Sequence, residues 1–119
     1  MLNLGAIETL YYDVKMPEPD GRVLHIQTPT QKFYEYMIAF DEKVKDLSDT
    51  QYDKQIREYA TRIINRNEEG IVYTVNQIKQ LVPTSVCGIL CQGYKKWIVD
   101  ILNNMVNDPN LKSLTTKKA

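Results

Sequence analysis

The sequence has little of several residue types on which common functions depend. Its 119 residues include one histidine, two cysteines and five glycines, and 15 basic residues balance 15 acidic ones. A nucleic-acid-binding domain usually carries a basic excess, so the zero net charge disfavours nucleic-acid partners. No apolar run approaches the roughly 18 residues of a membrane-spanning helix, so we expect no membrane segment. The 43% share of hydrophobic residues is ordinary for one globular domain.

The scarcity of histidine and the lack of active-site motifs disfavour an enzyme. His25, the single histidine, falls on the polar side of a predicted strand, where we expect a surface residue without a catalytic role. The chain has no G-x-S-x-G nucleophile motif and no glycine-rich phosphate loop. The acidic pairs at residues 41–42 and 68–69 are predicted to lie on a solvated helix face and in a loop. We therefore expect a non-enzymatic protein that needs no cofactor.

The two cysteines, Cys87 and Cys91, are four residues apart and fall on one side of a predicted helix. Helix geometry disfavours a disulfide at this spacing, and His25 is too far away in sequence to complete a zinc site with them. We therefore expect no metal, and free buried thiols that act as small apolar side chains. Reduced thiols and an N-terminus without a basic, apolar leader favour the cytoplasm.

The first 27 residues predict a β-hairpin. Apolar and polar residues alternate over residues 10–16, and the Asp20-Gly21 pair is a strong turn signal. A second short strand follows, with Leu24 and Ile26 on its apolar face. Because a lone hairpin is marginal in water, it must pack on helices or pair with another copy of the chain.

The remainder predicts helices. Capping boxes place helix starts at Thr28, Ser48 and Thr74, and Pro83 ends the third, short helix. The first two helices carry apolar stripes at helical spacing: Phe33, Met37, Phe40, Val44 and Leu47, then Tyr52, Ile56, Tyr59 and Ile63. A long last helix is predicted to turn inward Val86, Leu90, Trp97, Ile101 and Met105, with Ile89, Tyr94 and Ile98 beside them.

These elements predict one α+β domain over residues 1–110. The N-terminal β-hairpin is expected to pack on a mainly helical bundle of about four helices. Residues 111–119 are polar and rich in lysine, so we expect a frayed C-terminal tail.

Residues 74–94 also permit a second interpretation, a DNA-binding helix-turn-helix. A short capped helix, a break at Pro83 and a following helix match that layout. The second helix would present Thr84, Ser85, Gly88 and Gln92 to the bases, without an arginine. A helical hairpin used only for packing explains the same pattern equally well. A small DNA-binding regulator is therefore the alternative function.

Three segments carry a family resemblance. The first is the strand GRVLHIQ at residues 21–27, followed by Thr-Pro-Thr at 28–30. The second is IINRNEEG at residues 63–70, with Tyr-Thr-Val at 73–75 opening a helix. The third is YKKWIVDILNN at residues 94–104. In this order the segments resemble the small tail assembly chaperones of long-tailed, siphovirus-type bacteriophages and prophages of Gram-positive bacteria.

The resemblance implies a protein-interaction role in the host bacterial cytoplasm during virion assembly. Such chaperones coat the tape-measure protein, a long apolar helical rod, and recruit tail-tube subunits. The implied partner-binding residues lie on the last helix: Tyr94, Trp97, Ile98 and Ile101. A core position is the competing interpretation; we favour it for Ile101 and leave it open for Trp97. The hairpin edge could also pair with a second copy and form a homo-oligomer.

Overall fold

The computed structural model describes residues 10–107, with side chains as far as residue 104. A two-stranded antiparallel sheet, β1 (Tyr11–Lys15) and β2 (Val23–Gln27), precedes four helices, which are α1 (Gln31–Lys43), α2 (Asp49–Ile64), α3 (Val75–Leu81) and α4 (Thr84–Asn107). A 3-10 turn, Val44–Asp46, follows α1. The predicted α+β fold, a hairpin with about four helices, is thereby confirmed. The predicted tail at 111–119 lies outside the described residues.

The hairpin has the predicted strands, turn and faces. Its register runs from Tyr11 opposite Gln27 to Lys15 opposite Val23. Gly21 closes the turn with φ +63°, a left-handed conformation that glycine adopts without strain. Leu24 and Ile26 are fully buried, because the alternation of β2 turns both toward the helices.

The outer edge of β2 is covered by the loop that follows α2. The Gln27 N–H donates to the Arg66 carbonyl at 3.0 Å, and the Glu68 N–H donates to the His25 carbonyl at 2.9 Å. The Asn67 side chain holds the loop closed by accepting from the Ile71 N–H at 2.9 Å. This loop therefore fixes the hairpin against the helices.

The predicted helix starts at Ser48 and Thr74 are confirmed, and both have complete capping boxes. The start at Thr28 is wrong, because Thr30 is the N-cap of α1 and accepts from the Phe33 N–H at 3.2 Å. A distant side chain holds the chain just before this point: the Arg66 guanidinium donates to the Thr28 carbonyl at 2.5 Å. The first helical turn therefore forms two residues later. The α-helix also ends at Lys43, so Leu47 lies beyond it.

The buried stripe of α4 differs from the prediction. It consists of Cys87, Cys91, Tyr94 and Ile98, four residues at helical spacing. Val86, which was expected to face inward, is 44% exposed, and Ile89, which was expected beside the inner stripe, is 68% exposed. The observed stripe is rotated from the predicted one, because the small thiols, which were expected to be buried, fit the close contact between α4 and α2 and so place the larger aliphatic residues to the side.

The hairpin packs on α4 through a close contact at Gly93. The Tyr12 ring lies over this glycine and contacts the rings of Tyr94 and Trp97, with centroid distances of 5.9 and 5.5 Å. The Tyr94 hydroxyl donates to the Gln27 carbonyl at 2.6 Å. One helix therefore holds both strands at the open end of the hairpin, β1 by aromatic packing and β2 by a hydrogen bond.

Candidate protein-interaction surface

Two of the four predicted partner-binding residues, Tyr94 and Ile98, belong to the core. Tyr94 is fully buried, and Ile98 is nearly so. Burial raises the pKa of Tyr94 to about 12, so the phenol stays protonated and donates to Gln27. The side chain of Tyr94 is therefore committed to the fold and is not free to contact a partner.

Trp97 and Ile101 are partly exposed and have different surroundings. The Trp97 ring packs on the rings of Tyr12 and Tyr94, at centroid distances of 5.5 and 5.7 Å. Trp97 therefore borders the core, with part of its ring accessible. Ile101 instead lines a groove at the surface, so the core position favoured for it is not what the structure shows.

This groove, which we name the α1–α4 groove, lies between the start of α1 and the C-terminal half of α4. Its main part has a volume of about 300 Å³ and contains no charged side chain, being lined by Thr28, Pro29, Thr30, Gln31, Tyr34, Ile98, Ile101 and Leu102. A smaller hollow of about 40 Å³ shares Tyr34 and Ile98 with it and extends toward Ile38 and Val99. The two hollows form one apolar depression between two helices.

The rim of the α1–α4 groove exposes more apolar surface. Ile38 is 51% exposed and Leu102 is 43% exposed. An ion pair between Asp41 and Lys95 marks the charged end of the depression. A hollow between two helices with apolar rims suits a third, amphipathic helix, which would place its apolar face between them.

The contribution of α1 to this groove was missed from the sequence. Tyr34 and Ile38 are four residues apart, so they form a second apolar pair beside the main stripe of α1. Leu102 similarly falls outside the predicted inner stripe of α4. The available signal was that Tyr34, Ile38 and Leu102 are apolar but fall outside the stripes predicted to face the core. This signal does not show which two helices lie side by side.

The residues of the helix-turn-helix interpretation are divided between two environments. The breaks fall as predicted, with α3 ending at Leu81 and α4 beginning at Thr84. However, the Thr84 hydroxyl accepts from Arg57 of α2 at 3.0 Å, and Gly88 faces Tyr52 of the same helix. Ser85 and Gln92 remain exposed. Half of the proposed base-reading side is therefore turned toward α2.

His25 lies on the outer side of β2, as predicted, and forms an ion pair there. Its Nδ1 is 2.6 Å from a Glu69 carboxylate oxygen, and its backbone N–H donates to the other oxygen at 2.9 Å. Asp13 lies farther away, at 3.8 Å from Nε2. The hydrogen bond that the His25 ring donates to Glu69 raises the pKa of His25, and the bonds from the His25 backbone and ring lower the pKa of Glu69. The pair joins the hairpin to the loop after α2.

The two thiols lie in the core. Cys87 and Cys91 are free and buried, as predicted, and burial raises the pKa of both. Over residues 10–107, no three histidine, cysteine or acidic side chains are grouped so that they could hold a metal ion. Within the same residues, no helix combines the length and apolar character needed to cross a membrane.

Comparison of the chain with protein-family models, with curated proteins and with solved structures gives no match.

Proposed function

We propose that this chain is a non-enzymatic tail assembly chaperone that binds the tape-measure protein and tail-tube subunits of a long-tailed phage in the host cytoplasm. The observation that carries the proposal is the α1–α4 groove, an uncharged hollow of about 300 Å³ with apolar rims. The segments that resemble this family include residues 94–104, which supply the α4 wall of the groove.

The groove suits an apolar helical client for physical reasons. Leu102 on α4 lines the main part of the groove and Ile38 on α1 lines the smaller hollow, so a helix that lies along both would remove the two side chains from water. Complete burial of one such side chain contributes about 1.5–3 kcal/mol. A tape-measure protein presents an apolar stripe along a rod, so many copies of this chain could each cover one segment and keep it soluble.

The test is to co-express the tape-measure protein encoded by the same phage genome with this chain. We expect the tape-measure protein to be insoluble alone and to be recovered as a soluble complex with the chain. The Ile38→Gln/Leu102→Gln variant should weaken the complex at least about tenfold, because two apolar contacts are lost. Val72→Gln is the matched control, since Val72 is 77% exposed in the loop before α3 and lies outside the groove.

Two results would contradict the proposal. The first is a tape-measure protein that stays insoluble, with no complex, when the folded chain is present. The second is a complex that the groove variant binds as tightly as the control does. Binding of double-stranded DNA that falls steeply with salt would instead favour the helix-turn-helix alternative.

A further inference from the structure

The two outer edges of the hairpin differ in whether their backbone N–H and C=O groups are hydrogen-bonded. The Met16 N–H donates to the Arg22 carbonyl at 2.7 Å, so the even-numbered residues of β1 direct their backbone groups toward β2. The N–H and C=O groups of Asp13 and Lys15 therefore point outward. Over residues 10–107 no backbone group pairs with them, whereas the loop after α2 covers the outer edge of β2. An unpaired edge of this kind is a template for another strand.

We propose that β1 pairs antiparallel with β1 of a second copy of this chain, with Val14 of one copy opposite Val14 of the other. The contact forms a four-stranded sheet across a twofold axis. It is separate from the α1–α4 groove and does not depend on the proposed client.

Charge selects this register. With Val14 at the axis, Asp13 of each copy lies opposite Lys15 of the other. This register makes two opposite-charge pairs between residues whose backbone groups point away from β2. The two neighbouring registers that keep the same residues directed toward the partner have Asp13 or Lys15 at the axis. Each would place two like charges directly opposite each other, which is destabilising. Among these three registers, only the one with Val14 at the axis pairs opposite charges.

The surface beside the edge supplies apolar area for the same contact. A groove of about 250 Å³ lies between β1 and the first half of α4, and its lining includes Val14, Pro17, Val86 and Ile89. No residue of β2 lines this groove, so it opens on the free side of β1. An added strand would lie about 4.8 Å from β1, and its inward side chains would cover Val86 and Ile89. This contact gives a role to two apolar residues that α4 leaves exposed.

The test is sedimentation equilibrium of the full chain and of charge variants. We expect the wild-type chain to reach twice its 13.8 kDa monomer mass as its concentration rises. Lys15→Asp and Asp13→Lys should each weaken self-association at least about tenfold, since each places like charges opposite each other in both pairs. Mixing these two variants should restore a dimer, because each then meets its complement. The double variant Asp13→Lys/Lys15→Asp should also dimerise.

Hydrogen exchange locates the contact. In the dimer, the outward N–H groups of Asp13 and Lys15 should become protected, and dilution should reverse the protection. A chain that remains monomeric at roughly 0.5 mM would overturn the proposal, because no useful affinity would remain. A dimer that is insensitive to the charge exchanges, or that leaves both amides unprotected, would also overturn it.

Discussion

Gly88 and Gly93 lie on the same helix and allow a sharp test of how the hairpin packs. Each glycine lowers the stability of an isolated helix by about 1 kcal/mol relative to alanine. Their surroundings differ, however. A methyl group at Gly88 would lie 3.8 Å from the Tyr52 hydroxyl, an ordinary contact. A methyl group at Gly93 would overlap the Tyr12 hydroxyl, closer than real atoms approach.

We expect only one of the two alanine substitutions, Gly88→Ala, to stabilise the chain. Gly88→Ala should raise the free energy of unfolding by about 1 kcal/mol and Tm by roughly 4 °C. Gly93→Ala gains the same helix propensity but forces the Tyr12 ring away from Tyr94 and Trp97. Such overpacking costs about 1–3 kcal/mol, so the net result lies between no gain and a loss of about 2 kcal/mol. Urea unfolding followed by circular dichroism measures both.

A third substitution separates this contact from other effects. Tyr12→Phe removes the hydroxyl, and the nearest ring atom, Cζ, then lies 3.5 Å from the added methyl. In the Tyr12→Phe background, Gly93→Ala should therefore stabilise by about 1 kcal/mol. The cycle should give a coupling energy of roughly 1–3 kcal/mol. If Gly93→Ala stabilises the wild-type chain as much as Gly88→Ala does, the close packing of Tyr12 on α4 is refuted.

Three further predictions concern titration, thiol access and a buried hydrogen bond. Because Glu69 raises the pKa of His25, the pair stabilises the fold fully below the ordinary histidine pKa of about 6.5 and less as pH rises through the raised value. The Tm difference between wild type and His25→Gln should therefore be larger at about pH 6 than at pH 9; an unchanged difference contradicts the ion pair. Both cysteines should react with a thiol reagent only after the chain unfolds, and immediate reaction of either would contradict its burial. Tyr94→Phe should lower the free energy of unfolding by about 1 kcal/mol through the lost bond to Gln27, as urea titration would show; a neutral result would mean that the bond contributes nothing.

Local signals in the sequence were sufficient for most of the element boundaries. The capping boxes at Ser48 and Thr74 form within four consecutive residues, so nothing distant alters them. The Thr-Pro-Thr segment offered two possible caps, at Thr28 and Thr30. The choice depends on Arg66, 38 residues away from Thr28 in sequence, which holds the Thr28 carbonyl outside the helix. A local pattern could not show that contact.

The interaction surface was less predictable, because it depends on which helices meet. Ile101 could be identified as an apolar residue of the last helix, but its position at a groove depends on Tyr34 of α1, which is distant in sequence. The inward side of α4 was also ambiguous. Its apolar residues nearly encircle the helix, so the predicted burial of Cys87 did not exclude that Val86 also faces inward, and the contact with α2 shows that it does not.

The two proposed contacts occupy opposite ends of α4 and should therefore be independent. The strand contact uses Val86 and Ile89 in the first half of the helix, and the main part of the α1–α4 groove begins at Ile98 in its second half. Nine residues of helix, about 14 Å, separate Ile89 from Ile98, so a client helix and a second copy do not compete for the same surface. Ile38→Gln/Leu102→Gln should consequently dimerise as the wild-type chain does, and Lys15→Asp should still bind the tape-measure protein at each single site. Loss of both properties from either variant would mean that one surface serves both partners.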